Sequence, residues 1–312
     1  MKSALDGFGK GLLALGRQRG DVVVLHADPG LSAGVLPFAD AFPGRTFNFG
    51  ISERDMVMTA AGLSMTGKMP FACSRAAFLA TRGFDQIRTC LAIPRLGGVI
   101  VGTHSGLAAG EEGVAQQMNQ DIALMRSLPN MAVMVPSDAD SAFRMVLAAS
   151  ENPGPVYLRL GGEEVPDITE AKETEIRAGG GRLVREGDGV TICACGIMVH
   201  EAVKAAVILS RQGISAEVID CFSLKPLPYQ LILASLRRTG CCVVAEEHNF
   251  IGGLCEAIAG LAAGENPVPM RFVAISDRNG QSGTPQELRE YYGLTFREIV
   301  GAAAQAWSMR RR

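Results

Sequence analysis

The sequence has no excess of charge of either sign. Its 312 residues include 30 Lys and Arg and 32 Asp and Glu, which leaves a formal net charge of -2. Such a balance gives the chain no strong field for a polyanion, so nucleic acid is not an expected partner. Internal repeats, heptad runs and low-complexity tracts are also missing, and 47% hydrophobic residues predict a globular protein with a sizeable core.

Long hydrophobic runs are absent as well. No stretch approaches the roughly 18 uninterrupted apolar residues that a membrane-spanning helix requires. The segment from Met1 to Lys10 lacks the charged and then apolar order of a signal peptide. We therefore expect a cytoplasmic chain.

The eight cysteines form no Cys-x-x-Cys pair and have no histidine nearby at zinc-ligand spacing. Most lie in apolar runs, and two neighbours on a strand, such as Cys241 and Cys242, point to opposite faces. We expect reduced, buried thiols and no metal site on this chain. The cysteines are Cys73, Cys90, Cys193, Cys195, Cys221, Cys241, Cys242 and Cys255.

Glycine, by contrast, is abundant, with 37 residues, and it bounds apolar runs that alternate with segments of helical period. This alternation predicts an α/β protein, in which crossover helices join parallel strands. The predicted strands of the first half are Val22 to His26, Gly98 to Thr103, Met131 to Val135 and Val156 to Leu160. Its predicted helices are Asp55 to Thr66, Ala77 to Leu91, Asn119 to Arg126 and Ala139 to Ser150.

The length of the chain favours two domains. From Val165 to Gly181 the alternation gives way to Glu, Thr, Lys and Gly, which is typical of a solvated linker or of an edge segment between domains. We predict a first domain over residues 1–165, a linker over 166–185 and a smaller α/β domain over 186–312. The second domain is predicted to contain strands Val190 to Cys195, Ala216 to Asp220, Cys241 to Glu246 and Met270 to Ile275, and helices His200 to Gln212, Tyr229 to Thr239, Gly253 to Gly264 and Phe296 to Met309.

Two segments place polar residues where strands are predicted to end. Glu53 follows the apolar run from Phe47 to Ile51, and His104 follows the strand that ends at Thr103. Open α/β sheets bind ligands at such carboxyl ends. Structural explanations also exist, because Ser52 could cap the next helix while Glu53 favours its dipole, and a strand-end histidine is often only hydrogen-bonded.

A polar cluster on the helix that follows Phe78 is explained equally well by ion pairing or by partner contact. Its members are Arg82, Asp85, Gln86 and Arg88.

Several ordered blocks together resemble the transketolase family, specifically its pyrimidine-binding and C-terminal domains, from about residue 20 to the end. The central one is the box Gly50-Ile51-Ser52-Glu53-Arg54-Asp55-Met56. The others include Phe84-Asp85-Gln86-Ile87-Arg88, Gly110-Glu111-Glu112-Gly113, Leu128-Pro129-Asn130-Met131, Leu224-Lys225-Pro226 and Glu246-Glu247-His248.

The family's N-terminal domain, which holds the cofactor diphosphate and Mg²⁺, has no counterpart in the sequence. The chain therefore resembles the C-terminal, small subunit of a split, two-component transketolase. The resemblance implies a separate large subunit that carries most of the diphosphate and metal site. It also implies an α2β2 assembly in which this chain self-associates.

The activity implied by the resemblance is thiamine diphosphate-dependent transfer of a two-carbon ketol unit from a ketose to an aldose. Glu53 is implied as the catalytic residue whose carboxyl hydrogen-bonds the pyrimidine N1′. That role needs a rather dry site, which Phe47, Phe49, Ile51 and Met56 are expected to provide.

Further residues are implied to bind the cofactor or the sugar. Phe78 matches an aromatic residue that packs against the pyrimidine ring, with Ile51 and Arg75 as further cofactor contacts. His104 is implied as a second catalytic and substrate-binding residue. The remaining candidates for substrate binding are Glu112, Gln116 and Ser32.

Three positions depart from the family pattern. Arg75 stands where a second aromatic residue is common, Gln116 replaces a substrate-contacting histidine, and Gly162 stands where a phosphate-binding arginine is frequent. Gln116 cannot exchange a proton at neutral pH, and Glu163 and Glu164 disfavour a phosphate dianion locally. An unusual ketose donor or acceptor is therefore an alternative to the pentose phosphates.

Two other functions are compatible with the sequence. One is the β subunit of a 2-oxo acid dehydrogenase, which shares the two-domain layout. The other is a non-catalytic, transketolase-like partner module, which Arg75, Gln116 and Gly162 favour, although Glu53 and its box are intact.

Overall fold

The computed structural model of the protein describes residues 1–27, 34–168 and 175–310. Its strands are β1 (Lys2–Ser3), β2 (Val22–His26), β3 (Thr46–Asn48), β4 (Met69–Arg75), β5 (Gly98–Thr103), β6 (Ala132–Met134), β7 (Pro155–Arg159), β8 (Glu164–Val165), β9 (Arg182–Arg185), β10 (Val190–Ala194), β11 (Ala216–Asp220), β12 (Ser223–Lys225), β13 (Cys242–Asn249) and β14 (Met270–Ile275).

The α-helices alternate with the strands. They are α1 (Ala4–Gln18), α2 (Leu36–Ala41), α3 (Glu53–Met65), α4 (Ala76–Arg82), α5 (Phe84–Gln86), α6 (Asp121–Ser127), α7 (Ala139–Glu151), α8 (Met198–Arg211), α9 (Tyr229–Thr239), α10 (Leu254–Glu265), α11 (Pro285–Tyr292) and α12 (Phe296–Met309). No helix within the described ranges is both long and apolar enough to cross a membrane.

The first sheet has seven strands in the order β12-β6-β7-β5-β4-β2-β3. Every neighbouring pair is parallel except β12 with β6, which is antiparallel. β12 comes from the range predicted for the second domain, and its Ser223 pairs with Met134. The second half of the chain thus completes the sheet of the first half.

The second sheet has five strands in the order β14-β13-β10-β11-β9. Only its edge strand β9 is antiparallel to its neighbour. β9 lies in the predicted linker range, just after the segment from Val165 to Gly181, and it forms an edge strand paired with β11. The division at residues 165 and 186 stays a prediction.

The buried side chains of the described residues form three hydrophobic clusters. One lies between the first sheet and α1 and α7, and another lies between the second sheet and α8 and α12. The third fills the space between the two sheets, where it combines Ile100 of β5 with Val244 of β13 and side chains of α3, α4, α6, α9 and α10. The two halves of the chain therefore share this third hydrophobic cluster. The predicted α/β class is confirmed.

Local sequence signals explain several element boundaries. Ser3 and Asp6 form a capping box at the start of α1, and Thr284 and Glu287 form another at α11. All residues of β2 and β5 are buried, as expected for central parallel strands. Of the eight predicted buried thiols, only Cys90 is partly exposed.

The prediction of one continuous helix from Ala77 to Leu91 is wrong, because the structure divides this segment into shorter helical pieces. α4 ends at Arg82, Gly83 separates it from α5, and a π-helical turn over Ile87–Ala92 follows. Glycine has low helix propensity, and π-helical turns are rare and frequent near functional sites. The break therefore determines that α4, which carries Phe78 and Arg82, ends beside α3.

Candidate active site

Candidate site residues collect where neighbouring strands of the first sheet end. Glu53 begins α3 shortly after β3, Arg75 ends β4, and His104 follows β5. Register pairs Arg75 with Thr103, so the ends of β4 and β5 are level. The carboxyl ends of parallel strands border the crevice in which such sheets bind ligands. Ser32, which follows β2, lies outside the described residues.

Glu53 is a buried carboxyl group with one unpaired oxygen. The residue is 3% exposed. Its Oε2 lies 3.4 Å from Nη1 of Arg82, whereas its Oε1 is buried and has no hydrogen-bond partner among the described residues. A buried polar atom without a partner is unfavourable by about 1–3 kcal/mol, so Oε1 is suited to a group that comes from outside the chain. Ser52 precedes α3, but its side chain makes no capping hydrogen bond to the described residues of the helix.

Phe78 and Arg82 lie one helical turn apart on α4. The guanidinium carbon of Arg82 is 4.3 Å from the centroid of the Phe78 ring, which is a cation–π contact. The backbone carbonyl of Arg82 accepts a hydrogen bond of 3.1 Å from Nε of Arg54. The same arginine thus contacts Phe78 and Glu53.

The apolar surroundings expected for Glu53 are only partly present on this chain. Met56 is fully buried, and Phe49 packs against the shared core. Ile51 is 73% exposed and Phe47 is 42% exposed. These two side chains are available to a ligand or to another chain, but they do not shield the carboxyl group here.

Arg75 is held by a bidentate ion pair. Its Nη1 and Nη2 donate to the two carboxylate oxygens of Glu112 at 2.5 and 2.9 Å, and Oε1 of Gln116 lies 3.5 Å from Nη1. The Arg75 side chain is 15% exposed and that of Glu112 is 49% exposed. Hydrogen bonding to Arg75 lowers the pKa of Glu112. The structure thus brings three of the predicted residues together in one cluster.

His104 lies beside this cluster with a left-handed backbone, at φ +51°. Its Nδ1 is 3.2 Å from the hydroxyl oxygen of Thr103. Burial lowers the pKa of His104, the positive charge of Arg75 lowers it further, and Glu112 partly opposes the shift. The imidazole is therefore neutral at pH 7 and can accept or donate a proton.

Gly162 stands where a phosphate-binding arginine was expected, so no side chain fills that position. A Cβ on Gly162 would lie 3.4 Å from Cδ2 of His104, so this backbone runs next to the imidazole. Arg159 is buried and donates to Asp121, so it is not available to a ligand. Arg289 of α11 is paired with Glu163. Neither arginine replaces the missing guanidinium beside His104.

Two models of protein-family domains match the chain. Residues 2–166 match the family "Transketolase, pyrimidine binding domain", and residues 179–299 match "Transketolase, C-terminal domain". The chain belongs to the transketolase family.

Known relatives of this transketolase-family chain include components of split enzymes. It is 39% identical over 302 residues to a protein of Methanocaldococcus jannaschii named as a transketolase C-terminal section, with 96% of this chain and 94% of the relative aligned. It is 38% identical to a 6-deoxy-6-sulfo-D-fructose transketolase subunit of Clostridium sp. (strain MSTE9), with 94% and 90% aligned. It is 35% identical to one of the subunits of an apulose-4-phosphate transketolase from Phocaeicola vulgatus, with 94% of each aligned.

A solved structure also matches the whole transketolase-family chain. It is described as an inactive β4 tetramer of a split-gene transketolase. The two chains are 43% identical, each is covered in full, and the TM-score is 0.91. The pyrimidine-binding domain followed by the C-terminal domain is thus the architecture of this chain.

The transketolase family depends on thiamine diphosphate, and the residues described here fit one part of that cofactor. The unpaired Oε1 of Glu53 and the ring of Phe78 suit a heteroaromatic ring. Within residues 1–27, 34–168 and 175–310, no group of three or more His, Cys, Asp or Glu side chains is arranged to hold a metal ion.

Sequence reasoning missed a carboxyl group that the C-terminal domain contributes. Glu247 of β13 is buried, and a Cβ on Gly106 would lie 2.1 Å from its Oε2. Burial raises the pKa of Glu247 to about 7, and Glu163 adds to the shift. The backbone of Leu107 hydrogen-bonds to Glu247, so this residue supports the loop that carries His104 and Glu112. Glu247 lies in the block Glu246-Glu247-His248 of the family resemblance, but its contact with the loop could not be predicted, because Glu247 and Gly106 are distant in sequence.

Proposed function

We propose that this chain is the small subunit of a split transketolase, which transfers a two-carbon ketol unit from a ketose to an aldose and is active only with a large subunit. The observation that carries the proposal is Glu53, a buried carboxyl group with one unpaired oxygen close to an aromatic ring. The names of the relatives, which include two subunits of transketolases, support it.

Glu53 and Phe78 have the proposed roles toward the cofactor. Thiamine diphosphate, when bound, supplies a thiazolium carbon that can lose its proton and act as a nucleophile. Glu53 holds a proton on its carboxyl group and donates it in a hydrogen bond to the pyrimidine N1′. Phe78 packs against the ring, and the exposed Ile51 side chain adds apolar contact. Arg75 was predicted as a further cofactor contact, but its ion pair with Glu112 favours a role toward the sugar.

The residues at the end of β5 have the proposed roles toward the sugar. His104 takes a proton from a substrate hydroxyl or returns one, which its lowered pKa permits at neutral pH. Glu112 accepts hydrogen bonds from sugar hydroxyls and is held in place by Arg75. Gln116 and Ser32 are proposed as further substrate contacts, with Ser32 outside the described residues.

The substrate is proposed to be an unusual ketose or aldose instead of a standard pentose phosphate. The Arg75–Glu112 pair is neutral as a unit, and Gly162 adds no charge next to His104. A cluster of this kind suits hydroxyl groups better than a phosphate dianion, which needs an uncompensated cation.

The assembly is proposed to be an α2β2 heterotetramer in the cytoplasm. The large subunit would hold Mg²⁺ and most of the cofactor diphosphate. The split-enzyme relatives and the tetrameric solved structure support a partner and self-association of this chain.

The test is reconstitution with the cognate large subunit, thiamine diphosphate and Mg²⁺, followed by ketose-to-aldose transfer. We expect Glu53→Gln to reduce kcat by about 10²–10⁴-fold, because the isosteric amide cannot hold the proton. Asp55→Asn is the matched control, since Asp55 is exposed on the same helical turn.

Two outcomes would contradict the proposal. Equal activity of the wild type and Glu53→Gln would favour the non-catalytic partner module. Turnover of pyruvate or another 2-oxo acid, with no turnover of any ketose, would favour the β subunit of a 2-oxo acid dehydrogenase.

A further inference from the structure

Arg82 contacts both Glu53 and Phe78, the two side chains that the proposed function assigns to binding of the pyrimidine ring. Its Nη1 is 3.4 Å from Oε2 of Glu53, and its guanidinium carbon is 4.3 Å from the centroid of the Phe78 ring. The hydrogen bond from Arg54 to the carbonyl of Arg82 ties the end of α4 to the start of α3. One cation therefore covers the carboxyl group and the aromatic ring together.

The side chain of Arg82 lies partly in solvent, whereas that of Glu53 is buried. Arg82 is 46% exposed, whereas the Glu53 side chain is 2% exposed. The ion pair is long, and a cation–π contact at such an exposed position is weak. A ring that stacks on Phe78 and hydrogen-bonds to Glu53 can therefore replace Arg82.

We propose that Arg82 is a placeholder, which covers Glu53 and Phe78 in the unloaded protein and leaves both when the pyrimidine ring binds. Arg82 then stays charged and turns toward water. This inference rests on the proposed role of Glu53, and it adds that cofactor binding must displace Arg82.

Other titratable side chains on the elements next to α3 do not substitute for Arg82. Within the described part of the chain, Arg82 is the partner that forms an ion pair with Glu53. The remaining groups on β2, β4, α5, the π-helical turn and α3 itself are His26, Cys73, Arg75, Asp85, Arg88, Cys90, Arg54 and Asp55.

Calorimetric titration of thiamine diphosphate with Mg²⁺ into the two-subunit complex tests the placeholder. Each titration gives the Kd of the cofactor for the wild type or for a variant.

We expect Arg82→Gln to tighten the cofactor Kd by roughly two- to fivefold, because the competing contacts are lost. Arg88→Gln is the control, since it removes the same charge from an exposed position on the following π-helical turn. Its Kd should match that of the wild type.

Each alternative result has a defined meaning. Weaker cofactor binding by Arg82→Gln would overturn the placeholder and make Arg82 a ligand-binding residue. A Kd equal to that of the wild type and Arg88→Gln would also overturn it, while loss of turnover in Glu53→Gln would still support the proposed function. Full turnover by Glu53→Gln would instead contradict the proposed function.

Discussion

At the scale of single residues, the main electrostatic feature is the pair formed by Arg75 and Glu112 beside His104. The two side chains act on the imidazole in opposite directions, because Arg75 lowers the pKa of His104 and Glu112 raises it. Burial sets the overall direction, which is downward. The pair thus adjusts the proton affinity of His104 without adding a net charge beside the imidazole.

Removing one member of the pair should shift the pKa of His104 in a known direction. We expect Arg75→Gln to raise the pKa of His104, because the repelling cation is lost, and Glu112→Gln to lower it. An NMR titration of the imidazole C–H signals measures both shifts. The chain has four histidines, so His104→Asn assigns the signal. Shifts of the same sign in both variants would exclude this account.

At the scale of elements, α1 depends on close contact with α7. The helix includes Gly7, and a Cβ there would lie 2.0 Å from the carbonyl oxygen of Ala139 at the start of α7. Glycine is unfavourable in a helix by about 1 kcal/mol relative to alanine. The contact between the two backbones compensates for this cost.

A pair of glycine-to-alanine changes separates packing from helix propensity. Gly7→Ala should lower the free energy of unfolding by about 2–3 kcal/mol, because the backbones of α1 and α7 must separate. Gly301→Ala on the exposed side of α12 meets no atom within 4 Å and should raise it by about 0.5–1 kcal/mol. Urea unfolding measures both changes. Stabilisation by Gly7→Ala would show that α1 and α7 do not pack this closely.

Sequence patterns predicted the elements that depend on local signals. β2, β5, β11, β14, α9 and α12 have the predicted bounds, because continuous apolar runs or amphipathic periods mark them. β4 was missed, since its Met, Pro, Ala, Cys and Ser do not form a typical strand pattern. β12 was missed because its three residues are a strand only through pairing with β6.

The candidate site follows the same division. The positions of Glu53 and His104 at strand ends follow from the α/β pattern, whereas Arg75 ends β4, which was not predicted. Their partners do not, because the contacts of Glu53 with Arg82 and of Arg75 with Glu112 join segments that are 29 and 37 residues apart. The family resemblance suggested the roles, and tertiary packing determined the pairs.

At the scale of the whole molecule, buried carboxyl groups lie where the two halves meet. Glu247 of β13 supports the loop after β5, and burial raises its pKa to about 7. Asp220 of β11 accepts hydrogen bonds from Ser137 and Arg182, and burial raises its pKa to about 6. Both groups hold protons in the folded chain at pH values where the unfolded chain releases them.

The contribution of these two carboxyl groups to stability should therefore fall as the pH rises from about 4.5 to 7. In that range Glu247 and Asp220 bind more protons in the folded state than in the unfolded state, so their contribution to the free energy of unfolding decreases with pH. Glu247→Gln removes one of these titrations and keeps an acceptor for the Leu107 N–H. We expect little change at pH 5 and a gain of up to about 3 kcal/mol at pH 8.

Unfolding in urea at the two pH values measures this effect. Glu265→Gln, an exposed position at the end of α10, is the matched control and should change neither value. Some dependence on pH should persist in Glu247→Gln, because Asp220 still titrates. Equal losses of stability at pH 5 and pH 8 would contradict the assignment to Glu247.

The antiparallel strand β12 also has a consequence for synthesis on the ribosome. The edge of β6 has no strand beside it until Ser223–Lys225 has emerged, roughly 60 residues after the end of β7. At about 5–20 residues per second, this interval lasts about 3–12 s. An open, apolar sheet edge is prone to pair with other chains, so the nascent first half requires protection during those seconds.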